Sequence, residues 1–510
     1  MKFKIIKMRD DNLISEEERD TVKLDTMRDQ TVNKIENLIE EQPDSEHKKN
    51  SSFQTVFSIW NTMIGSSIVS IPYNVYYAGI IPTIFLGLLY GFVCYLTCAV
   101  VVRLGGKEDD FAVIVYKYLL YGFGPKTAKV GKIIQIIFNL AINTGATFIY
   151  FLIINQNLFP CICLFLKLFN IEIDALDQKP RFDRFSLIYC ALIVAAIEFP
   201  LTILKELRLL SKFNSYGIYF VSLLLGYVIY TGIRTMAIDS FSCEYKENVD
   251  GSKLRYLYLF GESPGLLTGT LSLGLFCHSV VLQLIKNNRK PENNQRDLFL
   301  GYTCVTLTYI IIGIFGYIGF SGSEYSSKFQ GNWFLFFKSD NYVILVLRLL
   351  NVIQLSSIFP ILIYAVRTQL LQNFMNKYYK SKSRLPLIIF SISILLLCII
   401  VLYFCYDFLP NLIGFVGAGT ALVLVYTIAP LINMINYYIR HQPREELDKL
   451  NENKEQIDLS INQDELEPLV PWKAFIFYLS MMLIILLGIV TFILQCHSVN
   501  FFGIKIEKNK

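Results

Sequence analysis

The chain has 510 residues, 53% hydrophobic and 17% charged, with a net charge of +5 and a mean hydropathy of +0.44. Soluble domains average about 25% charged residues; the shortfall here lies in long apolar runs that leave no room for a large soluble catalytic domain. At roughly 20 residues per crossing there is length for many membrane spans, and the positive excess sits in short loops, where it reads as a topology signal and not as a nucleic-acid surface.

Residues 1–52 are charged and poor in aromatics, the composition of a disordered cytosolic segment. The opening MKFKIIKMRDDN is basic, but no apolar core of signal-peptide length follows it, so targeting is expected from the first span. Spans are predicted near 53–79, 81–103, 130–158, 185–204, 213–234, 264–285, 297–320, 341–371, 385–406, 410–438 and 472–496, about eleven in all. Only Ala78–Gly79–Ile80–Ile81–Pro82 divides the first two. Residues 53–438 would form a core of ten spans, with repeats at about 53–234 and 264–438. Residues 439–471 form a cytosolic polar loop, 472–496 the eleventh span and 497–510 a non-cytosolic tail.

Loop charges support that count. With the N-terminus in the cytosol, four loops fall on the cytosolic side. They carry Arg103, Lys107, Lys117, Lys126, Lys129 and Lys132; Lys205, Arg208 and Lys212; Lys286, Arg289, Lys290 and Arg296; and Lys377, Lys380, Lys382 and Arg384. The opposite loops are mixed or acidic, with Glu172, Asp174 and Asp177 in one and Asp239, Glu244, Glu247 and Asp250 in another. Lys505, Lys508 and Lys510 in the tail run against the pattern. The sequon Asn50–Ser51–Ser52 lies on the cytosolic side and is expected to stay unmodified.

The eleven cysteines include no CxxC and no Cys/His metal spacing. Cys94, Cys98, Cys190, Cys304, Cys398 and Cys405 lie in apolar runs, where cysteine behaves as a small core residue. Cys161 or Cys163 shares the non-cytosolic, oxidising side with Cys243, so a disulfide between Cys243 and one of them is expected.

Three spans interrupt their own apolar pattern. The first reads FSIWNTMIGSSIVSIPYNVYYAG, and Asn61 to Pro72 holds an Asn, a Thr, a Gly, three Ser and a Pro. Unwound backbone at that depth is tolerated only where it lines a protein cavity. There, half-helix N-termini offer N–H groups to a carboxylate and free carbonyls coordinate Na⁺. A packed seam of small residues is the alternative. The sixth span, GLLTGTLSLGLFCHSVVLQLIKN, is again rich in small residues and holds His278, a functional candidate as an intramembrane ionisable group or a plain interhelical hydrogen-bonding partner. Arg348, Gln354, Ser356, Ser357 and Pro360 interrupt the eighth, and adjacent hydroxyls at mid-span are suited to a hard cation. The tenth carries Gly414, Gly417, Gly419 and Pro430, a mark of close helix approach. No P-loop supports ATP coupling, and no arginine ladder marks a voltage sensor. Four histidines and no paired carboxylates in the spans give little for an enzyme's acid–base work.

IWNTMIGSSIVSIP resembles the first-span signature of the amino acid/auxin permease superfamily, and CHSVVLQLIKNNRKPENNQRDLFLGY its sixth-to-seventh-span signature. QLSSIFPILIYAVRTQL is similar to the eighth span of its sodium-coupled neutral amino acid transporter group, and NNRKPENNQRD to that group's lysosomal, arginine-responsive branch. The likeness covers about residues 53–496.

It implies an all-α integral membrane fold: a 5+5 inverted repeat, like that of the bacterial leucine transporter, plus one extra helix. It implies secondary active transport of amino acids by alternating access, Na⁺-coupled and without a further cofactor, with arginine, leucine or glutamine as substrate. The substrate's α-amino and carboxylate groups would lie on Ile64, Gly65, Ser66, Ser67 and Ile68, beside Asn61; His278 joins the substrate set by its depth in the sixth span and not by the likeness. Asn61, Ser66 and Ser357 would hold Na⁺, with Ser356 ranked below them. The alternative it implies is an amino-acid sensor with little flux, signalling through residues 1–52 to a cytosolic Rag–mTORC1-type complex. A lysosomal or vacuolar membrane is the expected location, with the plasma membrane as alternative. The residues themselves offer Glu198 as the nearest proton carrier, outside the middle of the interrupted spans.

The cysteine placement predicts that peptide mapping under non-reducing conditions will recover Cys243 linked to a peptide containing Cys161 and Cys163; recovery of all three as reduced thiols would refute the pairing.

Overall fold

In hydrocarbon a backbone N–H or C=O finds no water, so a spanning chain must close its hydrogen bonds within helices. The structure, a computed structural model, is built that way. It describes residues 50–106, 110–171, 173, 177–203, 217–238, 241–242, 255–286, 288–319, 331–337, 341–374, 385–442 and 470–498. Among them, eight helices are long and apolar enough to cross a membrane. They take the numbers of the predicted spans they fall on: span 2 (Ile80–Gly105), span 3 (Pro125–Lys167), span 5 (Gly217–Ile238), span 7 (Asn294–Ile318), span 8 (Tyr342–Phe374), span 9 (Leu385–Cys405), span 10 (Leu409–Arg440) and span 11 (Pro471–Ser498). Span 4 is a shorter apolar helix, Leu187–Thr202. Spans 1 and 6 are each two helices, Ser52–Met63 with Ser67–Ala78 and Gly265–Gly274 with Val281–Lys286. Their outward side chains are apolar, as with Leu479, Leu486 and Ile493 on span 11, which suits lipid and not water. A minimal parallel pair, Phe241–Ser242 with Arg255–Tyr256, precedes span 6.

Two expectations need correction. The lysine-rich stretch 103–132 is not simply a loop: Phe111–Phe123 is a helix, capped by Asp110, whose side chain accepts from the Ala112 amide at 2.9 Å, and closed by Gly124 at φ +86. Phe111, Ile114, Val115 and Tyr118 bury one face, while Lys117 stays partly exposed. Span 3 runs longer than 130–158 at both ends, from Pro125 at its first turn to Lys167. The predicted start of span 5 at 213–216 and Cys243 of the expected disulfide lie outside the described residues. Cys161 donates its thiol to the Asn157 carbonyl at 3.3 Å.

Gly79, at φ +88, turns span 1 into span 2 with no intervening loop, a conformation that a side chain would strain. Around it the backbone pairs with residues 258–263. Ile80 and Ile81 donate to the Tyr258 and Leu259 carbonyls, each at 3.0 Å, and Gly261 and Ser263 donate to Ala78 and Tyr77 at 2.9 and 3.0 Å. The second half of span 1 is thereby tied to the entrance of span 6. Further along, Asn74 donates to Thr270 Oγ1 at 2.8 Å. Span 10 contains a π-helical turn, Leu424–Ile428, just before Pro430, where Thr427 bonds the Leu422 carbonyl at 2.7 Å.

Spans 6 and 10 meet backbone to backbone: a Cβ on Gly269 would overlap the Gly414 carbonyl, and one on Gly417 the Gly269 carbonyl. Overpacking such a contact costs about 1–3 kcal/mol or more. Gly269→Leu is expected to lower the melting temperature of the solubilised protein by at least about 5 °C. Gly226→Leu, on span 5 where a Cβ meets nothing within 4 Å, should leave it unchanged. Thermal denaturation read by size-exclusion chromatography decides between these outcomes.

Candidate functional site

The first half of span 1 starts on a capping box. The Ser51 amide donates to Gln54 Oε1 at 2.9 Å and the Gln54 amide to Ser51 Oγ at 3.3 Å. The helix stops at Met63. Ile64 is extended (φ −77, ψ 103), Gly65 forms a bend, Ser66 already has helical angles (φ −62, ψ −27), and the helix resumes at Ser67. Pro72 lies inside the second half. Ile64, Ser66, Ser67 and Ile68 are all buried and Gly65 is partly so. A helix end leaves carbonyls unbonded on one side of such a break and amides on the other.

Two tyrosines from other spans take up these groups. Tyr309 of span 7 donates its hydroxyl to the Met63 carbonyl at 2.9 Å, shared with the Gly274 carbonyl at 3.3 Å. Its oxygen also lies against the Gly65 backbone and the Ser67 side chain. Tyr150 of span 3 sets its hydroxyl against the Ser66 backbone, at the point a Cβ on Gly65 would occupy. Span 7 reaches the breaks twice more: Trp60 Nε1 donates to Thr308 Oγ1 at 3.2 Å, and Tyr302 donates to the Leu275 carbonyl at 3.1 Å.

In span 6 the helix stops at Gly274, and residues 275–280 are turns and irregular backbone before Val281. His278 falls in that stretch. It is fully buried, stacks on Phe276 and shares a 2.9 Å hydrogen bond between Nε2 and Thr97 Oγ1 of span 2. Its described partners lie on span 2 and its own segment, and no hydrogen bond joins it to the span 1 break.

The residues expected at an ion site fall in three places. A Cβ on Gly217 of span 5 would meet both Gln354 Nε2 and Asn61 Oδ1, at 2.7 and 2.9 Å, so these two side chains share one spot. Gln354 in turn connects to Ser357, which donates to its carbonyl at 2.6 Å. Asn61 and Gln354 therefore meet between spans 1, 5 and 8, and Ser357 lies on span 8 three residues beyond Gln354, bonded to its backbone carbonyl. Ser356 belongs elsewhere: it faces the buried Glu198 of span 4. Ser66 is placed in the break itself, beside Tyr150.

Tyr150, Tyr309 and Gln354 are the site residues that sequence reasoning missed or passed over. Buried tyrosines need a partner for the hydroxyl, but which carbonyl they reach is decided by packing between spans 3, 7 and 1.

The comparisons with known proteins agree with this architecture. The family described as "Transmembrane amino acid transporter protein" matches residues 48–451. Neutral amino acid transporter 9 of Xenopus tropicalis is 26% identical over 437 residues, 77% of this chain and 76% of that one. The Danio rerio protein of the same name is 27% identical over 439 residues, covering 78% and 77%. The sodium-coupled neutral amino acid transporter 9 homolog of Caenorhabditis elegans is 24% identical over 441 residues, covering 75% and 68%. Among solved structures, the inward-facing conformation of Mhp1 aligns with a TM-score of 0.52 over 88% of this chain and 89% of that one. MhsT in complex with L-phenylalanine aligns with a TM-score of 0.50 over 86% and 98%. Both are 12% identical and carry the fold alone, the all-helical inverted repeat with its two broken spans. A match that runs through both breaks and their supporting spans means that the chain belongs to the transmembrane amino acid transporter family.

Proposed function

We propose that this chain carries amino acids through the membrane by alternating access, with the substrate's charged ends held on the unwound backbone of span 1. The observation that supports this is the paired interruption of spans 1 and 6, with buried polar backbone at Ile64–Gly65–Ser66 and a tyrosine hydroxyl on either side of it. A carboxylate is served by the amides at the start of the second half of span 1, an amino group by the carbonyls at the end of the first. Ile64, Gly65, Ser66, Ser67 and Ile68 form that surface; His278, engaged by Thr97, lies outside it.

Na⁺ is the coupling ion in this reading, and the name of the C. elegans relative is in keeping with it. Asn61, which meets Gln354 beside Gly217, and Ser357, three residues further along span 8, are its ligands, while Ser66 serves substrate and ion alike. Ser356, turned to Glu198, is not among them. The pieces of spans 1, 4 and 6 together with the eight long helices make eleven crossings, with the N-terminus in the cytosol. A lysosomal or vacuolar location rests on the likeness of NNRKPENNQRD alone.

Uptake of labelled arginine, leucine and glutamine into proteoliposomes, with and without a Na⁺ gradient, is expected to show at least one substrate accumulating faster with the gradient. Gly65→Leu should reduce that uptake to background while the protein keeps its size-exclusion profile, because the new side chain must enter the space of the Tyr150 hydroxyl. Normal uptake by Gly65→Leu places the site elsewhere, and absence of uptake for every amino acid by folded wild-type protein refutes the transport reading.

A further inference from the structure

We propose that Gln495 of span 11 is a positioning residue for alternating access: its buried amide, unbonded in this conformation, takes a backbone carbonyl at the crossing of spans 6 and 10 when access is reversed. The inference rests on the transport reading above and adds to it a residue, outside the substrate surface, that sets the balance between the two states.

Ile484, Gly488, Thr491, Gln495 and Ser498 recur every three or four residues and lay one seam of span 11 on the protein, while Leu486, Ile489 and Ile493 face outward. In a membrane such a seam is made of small or apolar residues, with polar groups where a neighbouring helix takes their hydrogen bonds. Gly488 lets Tyr426 of span 10 come close. Thr491 shares a hydroxyl hydrogen bond with Tyr90 of span 2, and Ser498 accepts from Ser263, at the entrance of span 6, at 2.8 Å. Gln495 breaks the rule. It is 0% exposed, and neither its Oε1 nor its Nε2 has a hydrogen-bond partner. Among the described residues no other buried amide side chain is left with both atoms unbonded. Asn74 and Asn155, for instance, use their nitrogens.

The amide stands at the point where spans 6 and 10 touch. A Cβ on Gly414 would come within 2.6 Å of both Oε1 and Nε2, and one on Gly269 within 2.5 Å of Oε1. That same Cβ on Gly269 would meet the Gly414 carbonyl, so this carbonyl and the amide border on one spot. A helical carbonyl spends one lone pair on its helix and keeps a second for another donor. An amide buried bare loses the hydration of both its groups, and nothing in this conformation repays the loss. Span 11 cannot repay it by shifting, because it is held about one turn to either side, at Thr491 and at Ser498. The helices above it can. They meet through glycines, with no side chain interlocked between Gly269 and Gly414, and the first half of span 6 leads straight to the break at Gly274. A slide along the glycine crossing brings a carbonyl to Nε2. The bond is made in one access state and unmade in the other, which is the condition for biasing their populations.

Gln495→Met keeps the length of the side chain and removes both polar groups. Full-length wild type and variant are compared by thermal denaturation, read by size-exclusion chromatography, and by initial rates of labelled amino acid uptake into proteoliposomes over a range of concentrations. The two readouts are expected to move apart. The melting temperature stays the same or rises, because bare polar groups are no longer buried. The maximal uptake rate falls about fivefold, the loss of one hydrogen bond from one state, while the half-saturating concentration stays within about twofold. A role in packing alone moves both readouts together: a lower melting temperature in the variant overturns the proposal. An unchanged maximal rate overturns it as well, whatever the melting temperature. Should Gln495→Met fail to fold, Gln495→Leu is judged by the same two readouts, and failure of both variants to fold rejects the assignment. A wild type that transports while its variants match it defeats this inference alone, whereas a wild type that transports nothing defeats the transport reading and this inference with it.

Discussion

A helix that stops inside a membrane leaves carbonyls and amides that have no water to turn to, at a cost of several kcal/mol for each one left bare. Spans 1 and 6 both stop. What surrounds them is arranged so that hydroxyl groups, which donate and accept at once, meet the exposed backbone from the side. Span 7 is the main support, reaching the two breaks through Tyr302, Thr308 and Tyr309. Span 3 adds Tyr150 from another direction. The breaks persist because these groups stand where they do, and a substrate that binds there must offer the backbone something at least as good.

The interruption of span 1 was legible in its residues. Asn61 to Pro72 concentrates groups that weaken a helix, and the structure opens the helix within that window, at Ile64 to Ser66. Pro72, a conspicuous breaker on paper, is instead accommodated inside the second half as its sixth residue, where the helix goes without the hydrogen bond to the Ile68 carbonyl. Span 6 was likewise marked by its glycines, and His278 by its depth. The direction of His278 was not legible, because nothing local says that Thr97, 181 positions away, will take its nitrogen. Tyr150 and Tyr309 were hidden for the same reason: chain periodicity reports burial and says nothing about partners. The helix Phe111–Phe123 was missed because the surrounding lysines were read for topology, although Asp110 and Gly124 bracket an amphipathic run.

Ser356 and Ser357 show how far sequence spacing goes. Neighbouring residues on a helix point about 100° apart. A pair of serines therefore addresses two different neighbours, and only one of them can serve a site on the span 1 side. Ser357 gives its proton to the Gln354 backbone carbonyl of its own helix, while Ser356 looks toward Glu198 on span 4. The likeness of the eighth span to its relatives ranks Ser357 above Ser356, and the two serines have different neighbours in the structure. Glu198 itself is buried beside a hydroxyl, and the ion pairs among the described residues do not include it.

The backbone pairing around Gly79 has a consequence for inheritance. Residues 258–263 lie in no helix or strand, the kind of stretch where a chain ordinarily gains and loses residues at little cost. Here four N–H groups must each find a specified carbonyl across Tyr77 to Ile81. One residue inserted or deleted between Tyr258 and Ser263 would move the donors and acceptors past one another and unfasten the entrance of span 6 from the second half of span 1. The length of this segment is thus under as much constraint as a helix of the core, and so is Gly261, where a Cβ would overlap the Tyr77 carbonyl.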